Sequence, residues 1–92
     1  MAIEFDPEKS EQNAAARGLP FGLVERFDWE TALVGPSPQR HDEPRFVAVG
    51  EIDGRTHVVR FCVRRDNVRV ISLRRANRRE VASYAKAKRR EP

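Results

Sequence analysis

The sequence predicts a small α+β fold, with two amino-terminal helices, an antiparallel meander of three to four strands and a carboxyl-terminal helix. Helix start and stop signals lie in the first third of the chain, and valine-rich runs separated by turn signals lie in the second half. Because 92 residues are typical of one domain, we expect residues 1–92 to form a single domain in which residues 85–92 are a frayed tail.

The first half of the chain carries the helix signals. After a short apolar run, AIEF, which is a candidate edge strand, Asp6 is an N-cap and Pro7 takes the first helical position. This helix is predicted to end at Gly18, the residue type favoured just past a helix end. The segment PFGLVERF has apolar residues three apart and predicts a short second helix. TALV is a candidate strand, and GPSPQRHDEP is predicted to be a loop.

Three strand candidates follow: RFVAVGEI, HVVRFCV and VRVISL. Asp53-Gly54 is a strong hairpin signal between the first two, and Asp66-Asn67 is a weaker turn signal between the second and third. With these turns, Cys62 faces Ile71. Because side chains alternate across a strand, one face collects a predicted core consisting of Phe46, Ala48, Val59, Phe61, Val63, Val68 and Val70.

The opposite face of these strands is half apolar, so a helix is expected to cover part of it. After Leu73 the apolar period changes, and Val81, Tyr84 and Ala85 fall on one side of a predicted helix. The cationic residues of the opposite face are then expected to cluster at its uncovered edge: Arg45, Arg60, Arg64 and Arg69.

Charge is distributed unevenly along the chain. Residues 1–54 hold 5 basic and 11 acidic residues, whereas residues 55–92 hold 13 basic and 3 acidic residues, a net charge of +10. Most of these cations are arginines, whose planar guanidinium group suits paired hydrogen bonds to phosphate. The pattern favours a polyanionic partner, although an acidic protein would also neutralise these groups.

Several functional classes are excluded or disfavoured. No apolar run approaches the roughly 20 residues of a transmembrane helix, and the amino end lacks the pattern of a signal peptide. The single cysteine, Cys62, excludes an internal disulfide and a cysteine-rich metal site, and it has no base partner in its strand. His41 and His57 do not fit a metal-site spacing, and His57 is interpreted as structural. Trp29 is interpreted as a packing residue. We therefore expect a cytoplasmic protein without a membrane segment, metal or cofactor.

Short motifs spread over Phe5 to Tyr84 resemble, in their order, the BrnT-type toxins of bacterial type II toxin–antitoxin systems. They are FDPEK, N, RG, PF, E-P-R, DGR, V-R, RVIS-R-A and E---Y. The resemblance implies a small ribonuclease with a RelE-like fold, paired with a DNA-binding antitoxin of the BrnA type. It also implies that the complex binds operator DNA.

This chain departs from the family pattern at the end of the first helix. The family usually has Lys-His-Gly there, whereas this chain has Ala16-Arg17-Gly18. Arginine stays protonated in proteins, so Arg17 is suited to binding phosphate but is a poor general base. A tyrosine–threonine pair of the family is also replaced, by Phe61-Cys62.

RNA cleavage without a metal requires a base for the ribose 2′-OH, cations for the phosphate and an acid for the leaving oxygen. The predicted catalytic residues are Arg64 and Arg74 as cations, Glu80 as the candidate base and Tyr84 as a proton donor or stacking group. A salt bridge is the alternative for Glu80, and core packing is the alternative for Tyr84. The predicted RNA-binding residues are Lys9, Arg17, Arg45, Arg60, Arg69 and Arg75.

Two functions from different classes remain open. The first is a toxin endoribonuclease that inhibits growth or translation by cleaving RNA. The second is a non-catalytic RNA-binding or antitoxin-binding module, a degenerate toxin that has lost the family histidine. Retention of the arginines together with Lys9, Glu80 and Tyr84 favours the first.

Overall fold

A single mixed β-sheet organises residues 2–38 and 42–89, which are the residues described by this computed structural model. In these ranges the elements are β1 (Ile3–Glu4), α1 (Pro7–Arg17), a 3₁₀ helix (Phe21–Arg26), β2 (Leu33–Pro36), β3 (Phe46–Ile52), β4 (Arg55–Arg64), β5 (Asn67–Arg75) and α2 (Arg78–Arg89). The strand order is β1-β5-β4-β3-β2. β1 runs parallel to β5, and the other neighbours are antiparallel. The α+β class is therefore confirmed, but the predicted antiparallel meander of three to four strands is wrong, because the sheet is mixed and has five strands.

The predicted boundaries of α1 are confirmed. The Asp6 carboxylate accepts a 2.9 Å hydrogen bond from the Glu8 backbone N–H, and Pro7 is the first helical residue. At the other end Gly18 adopts φ 71°, and its N–H donates to the Ala14 carbonyl oxygen at 2.8 Å. These caps fix where the first helical turn lies, and with it the position of Lys9.

The second predicted helix is a 3₁₀ helix rather than an α-helix. Phe21 and Val24 are both buried, and their separation of three residues matches the three-residue turn of a 3₁₀ helix. The strand predicted at TALV lies two residues later, at Leu33–Pro36. The predicted loop therefore begins within β2, and part of it, residues 39–41 with His41, lies outside the described residues.

The two hairpins show one confirmed turn and one correction. Asp53 and Gly54 form the first turn, with positive φ at both residues. The second turn is Arg65-Asp66 rather than Asp66-Asn67, so Cys62 faces Arg69 instead of Ile71. Asn67 is instead the first residue of β5, and its side-chain oxygen accepts a hydrogen bond from the Ala2 N–H next to β1. From Phe61 to Arg64 the β4 residues change partner by two positions, so the assignment of residues to faces survives at this end.

A bulge in β5 brings Leu73 into the core. Phe61 pairs with Val70 but Arg60 pairs with Ser72, so Ile71 is the extra residue. The alternation of β5 reverses after this point, and Leu73 becomes fully buried. The core cluster is Leu19, Phe21, Val24, Phe27, Ala48, Ile52, Val59, Phe61, Val68, Val70 and Leu73.

The predicted core face is largely confirmed. Phe46 is partly buried against the core, and Trp29 packs edge-on against Phe27 and Phe61, as its packing interpretation predicts. Val63 is the exception. It is 51% exposed, because β3 begins at Phe46 opposite Phe61 and so does not extend along β4 as far as Val63.

The carboxyl-terminal helix α2 covers part of the opposite face of the sheet, as expected. Tyr84 is buried, and its hydroxyl lies 3.0 Å from the Thr31 hydroxyl and 3.5 Å from the Glu51 carboxylate of β3. The Lys88 ammonium pairs with the same carboxylate at 2.8 Å. The helix continues to Arg89, well past residue 85, where a frayed tail is expected. Within the described ranges, no helix has the length and apolar character needed to cross a membrane.

Candidate nucleic-acid interface

A groove of about 200 Å³ opens where the amino end of α1, strands β4 and β5 and the segment preceding β3 come together. Four of its side chains are cationic and two are carboxylates, and they come from all of these elements. We call this site the basic groove, and its lining residues are Asp6, Lys9, Glu43, Arg45, Cys62, Arg64, Arg69, Val70 and Ile71.

Local structure explains why these cations converge. The Asp6 cap starts α1 and leaves Lys9 exposed on its first turn. The Arg65-Asp66 turn returns the chain so that Arg64 and Arg69 lie near the same end of the β4–β5 hairpin. The amino end of α1 also adds the positive pole of the helix dipole, which favours an anion. The expected cluster of arginines at an uncovered edge is therefore present for three of its four members, while Arg60 lies outside the groove lining.

Two of the groove arginines are held by carboxylates. The Arg64 guanidinium donates two hydrogen bonds to Glu43, at 2.8 and 3.3 Å, and the Arg69 guanidinium lies 3.6 Å from the Glu4 carboxylate. All four side chains are at least one-third exposed. Exposed pairs of this kind contribute about 0–1 kcal/mol. An incoming phosphate can therefore exchange with these carboxylates at small cost.

Arg45 has an unmet hydrogen-bonding requirement. Its Nε atom is buried and, among the described residues, has no hydrogen-bond partner. A buried donor without an acceptor costs about 1–3 kcal/mol. Because Arg45 lines the basic groove, an anionic oxygen bound there supplies the kind of acceptor that this group lacks.

A second, more open groove continues from the basic groove along α1 and β5. Lys9 and Ile71 line both, and the second also includes Asn13, Arg17 and Ser72. The Arg17 guanidinium donates to the Leu73 carbonyl oxygen at 3.3 Å, and the Asn13 amide donates to the same oxygen at 3.0 Å. Arg17 therefore borders a surface that shares Lys9 and Ile71 with the basic groove.

Arg74 and Glu80 lie together outside the basic groove. The Arg74 guanidinium donates two hydrogen bonds to the Glu80 carboxylate, at 2.7 and 2.8 Å. Glu80 also accepts from the Asn77 backbone N–H, while the Asn77 side chain accepts from the Glu80 N–H. This reciprocal arrangement is a capping box that starts α2. These contacts correspond to the salt-bridge interpretation of Glu80. Tyr84 is buried on α2, which corresponds to its packing interpretation.

The Arg74 hydrogen bonds lower the pKa of Glu80 to about 2 from its ordinary value of 4.5. A carboxyl group whose pKa is depressed by folding adds stability that is present above pH 4.5 and is lost as the pH falls towards 2. We expect Glu80→Gln to lower the free energy of unfolding at pH 7 by about 1–2 kcal/mol, allowing for solvent screening. Denaturant unfolding at pH 7 and pH 3 measures this. A difference between wild type and variant that does not shrink at pH 3 would contradict the assignment.

The remaining predicted site residues are dispersed. Arg75 is at the other end of β5, about 20 Å along the strand from Arg69, and borders different surface depressions with Arg55. His57 is buried, with Nδ1 2.7 Å from the Arg55 carbonyl oxygen, which matches its structural interpretation. The described residues contain no group of three or more His, Cys, Asp or Glu side chains placed to hold a metal ion.

The match to a family model decides what class of protein this is. Residues 5–80 match the model that describes BrnT, a ribonuclease toxin of type II toxin–antitoxin systems. The chain belongs to the BrnT family. The resemblance predicted from short motifs is therefore confirmed, and with it the function of a ribonuclease toxin whose partners are RNA and an antitoxin. The matched range includes every lining residue of the basic groove. No curated protein matches the chain.

Glu43 is a groove residue that was not predicted as a site residue from the sequence. It is the first residue of the E-P-R motif, and the BrnT resemblance assigned it no chemical role. A signal was present in Glu43-Pro44-Arg45, because a residue before proline favours extended backbone, in which alternate side chains share a side. The sequence did not show that this segment would lie against Cys62 and Arg64 of β4.

Cys62 is a buried thiol beside Glu43. Burial raises the pKa of the Cys62 thiol, and the hydrogen bond to the Glu43 carboxylate raises it further. The thiol therefore stays protonated at neutral pH, and a nucleophilic role remains disfavoured.

Proposed function

We propose that this BrnT-family chain is a metal-independent endoribonuclease that cleaves RNA in the basic groove and thereby inhibits growth and translation. Arg64, Arg45 and Arg69 hold the phosphate at the bond that breaks, and Lys9 holds the same or the adjacent phosphate. Arg17 extends the track for the RNA backbone along the second groove, and Arg60 and Arg75 make outer contacts.

The convergence of four cations from four separate stretches of chain on one groove is the observation that carries this proposal. A solvated basic surface does not require such convergence, and like charges repel one another when they are brought together. A phosphate relieves that repulsion and gives Arg45 Nε an acceptor. Charge-assisted hydrogen bonds from arginine to phosphate are short and strong, so they are suited to this task.

The chemistry assigned to these cations is stabilisation of the phosphorus centre while it carries extra negative charge. Fixed donors that face developing charge contribute more than uniform binding, because they strengthen as the transition state forms. Arg74, Glu80 and Tyr84 are kept as proposed contributors to catalysis. The contacts of these residues at the start of α2 and against β3 support structural roles equally well.

Incubation of the purified protein with a mixed-sequence RNA tests the proposal. We expect internal cleavage that leaves 2′,3′-cyclic phosphate and 5′-hydroxyl ends, with a rate unchanged by excess EDTA. Cleavage should weaken as salt rises, because phosphate contacts release counterions. RNA that stays intact, or cleavage that EDTA abolishes, would refute the metal-independent mechanism. Arg64→Ala purified in the same way controls for contaminating nucleases.

We also propose that the antitoxin is a BrnA-like DNA-binding protein and that the complex binds operator DNA, in the cytoplasm where its RNA substrate lies. Exposed cations on α2, including Arg78, Arg79, Lys86 and Arg89, offer the toxin a surface for DNA phosphates. A gel-shift experiment with the DNA upstream of the operon tests this. We expect the complex to shift this DNA, and the antitoxin paired with an unrelated toxin not to shift it.

A further inference from the structure

The basic groove contains one carboxylate that is placed for proton transfer. Its two carboxylates are Asp6 and Glu43. An Asp6 oxygen already serves as the cap of α1 by accepting from the Glu8 N–H at 2.9 Å. The Glu43 carboxylate is held by an exposed ion pair with Arg64 and by a hydrogen bond from the Cys62 thiol, whereas Glu80 lies outside the groove with both oxygens engaged by Arg74. Glu43 is therefore the carboxylate that can exchange its partner for substrate.

The contact with Arg64 places Glu43 beside the position that a phosphate would take. The carboxylate oxygens accept from Arg64 Nη2 at 2.8 Å and from Nε at 3.3 Å. In RNA, the 2′-OH that attacks is attached to the same ribose as the phosphate under attack. A base for this hydroxyl must consequently lie next to the cation that holds the phosphate. Glu43 and Arg64 satisfy this requirement in one pair of side chains.

The surroundings of Glu43 determine its proton affinity. The Arg64 hydrogen bonds are the largest cause of a lowered pKa at Glu43, and the hydrogen bond from Cys62 and the nearby charge of Arg45 act in the same direction. The carboxyl is therefore ionised at neutral pH and ready to accept a proton. A bound phosphate competes for the same guanidinium groups, which weakens their hold on Glu43 and raises its basicity when substrate arrives. The charged and titratable groups around it in the groove are Asp6, Lys9, Arg45, Cys62, Arg64 and Arg69.

We infer that Glu43 is the general base for RNA cleavage by this chain, a role that rests on the proposed function. Glu43 takes the proton from the ribose 2′-OH, and the 2′-oxygen forms a bond to phosphorus as the bond from phosphorus to the 5′-oxygen breaks. The leaving 5′-oxygen takes a proton from solvent water in the open groove. The resulting hydroxide is neutralised by the proton on Glu43, which regenerates the carboxylate. The products are a 2′,3′-cyclic phosphate and a 5′-hydroxyl.

Glu43→Gln provides the test, because glutamine keeps an oxygen acceptor for Arg64 but takes up no proton. We expect kcat to fall by about 100-fold or more, while RNA binding at equilibrium is unchanged or tighter, since a negative charge leaves the groove. The acidic limb of the pH–rate profile should disappear. In wild type the apparent pKa of this limb should be higher in kcat than in kcat/KM, because bound phosphate competes for Arg64. Glu43→Asp should restore part of kcat and the acidic limb.

Glu4→Gln is the matched control, since Glu4 also pairs with a groove arginine but does not line the groove. It should leave kcat and the pH profile unchanged. If Glu43→Gln retains the wild-type kcat and acidic limb, or changes only KM, the inference is wrong, while the proposed function stands as long as wild type cleaves RNA. If wild type itself fails to cleave RNA, the proposed function and this inference both fail. Melting temperatures of the variants show whether each remains folded.

Discussion

Arg64→Ala is expected to reduce RNA cleavage by about 100-fold or more, and to restore growth when the variant is expressed without antitoxin. Arg64 donates two hydrogen bonds to the Glu43 carboxylate in the basic groove. Its side chain is exposed enough for a phosphate to replace Glu43 as the acceptor. Its loss removes a fixed cation from the position where charge develops. Because an exposed ion pair contributes little to stability, the fold should stay intact. Initial cleavage rates and circular dichroism measure the two effects separately.

Arg26→Ala is the matched control for this experiment. Arg26 also forms an exposed 2.8 Å ion pair, with Asp53, but does not line the basic groove. It should keep wild-type cleavage and toxicity. Arg74→Ala gives a further contrast, because a catalytic role predicts restored growth, whereas a role limited to α2 predicts lower stability with cleavage retained. If Arg64→Ala and Arg74→Ala both remain fully toxic, the arginine site is misplaced.

Arg17→His is expected to raise the cleavage rate by about 100-fold, the lower end of what a positioned acid or base contributes. Position 17 borders the second groove, which shares Lys9 and Ile71 with the basic groove. A histidine there can donate a proton to the leaving oxygen near neutral pH, whereas an arginine stays protonated. The gain should appear in kcat with a new basic limb in the pH–rate profile. Single-turnover cleavage over pH 5–9 measures it.

Arg17→Gln controls for the loss of a positive charge, since it removes the cation without adding a group that titrates. It should weaken RNA binding modestly and leave the shape of the pH profile unchanged. An Arg17→His rate equal to wild type would show that position 17 only binds RNA. If wild type and Arg17→His both bind RNA tightly and neither cleaves it, the alternative of a degenerate, non-catalytic module would replace the endoribonuclease proposal.

The elements that were predictable from sequence depend on short-range signals. The Asp6 cap, Pro7 and Gly18 act within single turns, so α1 was located correctly from them. The Asp53-Gly54 turn is equally local, since both residues tolerate positive φ. The BrnT motifs were recognised for a different reason, because their order along the chain is specific even where each motif is weak.

The errors arose where distant segments compete for the same residue. Asn67 was assigned to a turn, but it accepts a hydrogen bond from Ala2 and pairs opposite Arg64. The bulge at Ile71 also changes which side of β5 faces the core, and Leu73 became buried as a result. A one-residue change in register has no signature in the hydrophobic pattern of such short strands.

The sequence by itself determined the excess of arginine and the family, since neither composition nor the order of motifs depends on folding. Which arginines lie in the basic groove and which form structural ion pairs depends on packing. Arg64 lines the basic groove next to Glu43, whereas Arg74 donates two hydrogen bonds to Glu80 at the start of α2. Like residues separate in this way because strand register and helix docking set which carboxylate lies within hydrogen-bonding distance of each guanidinium.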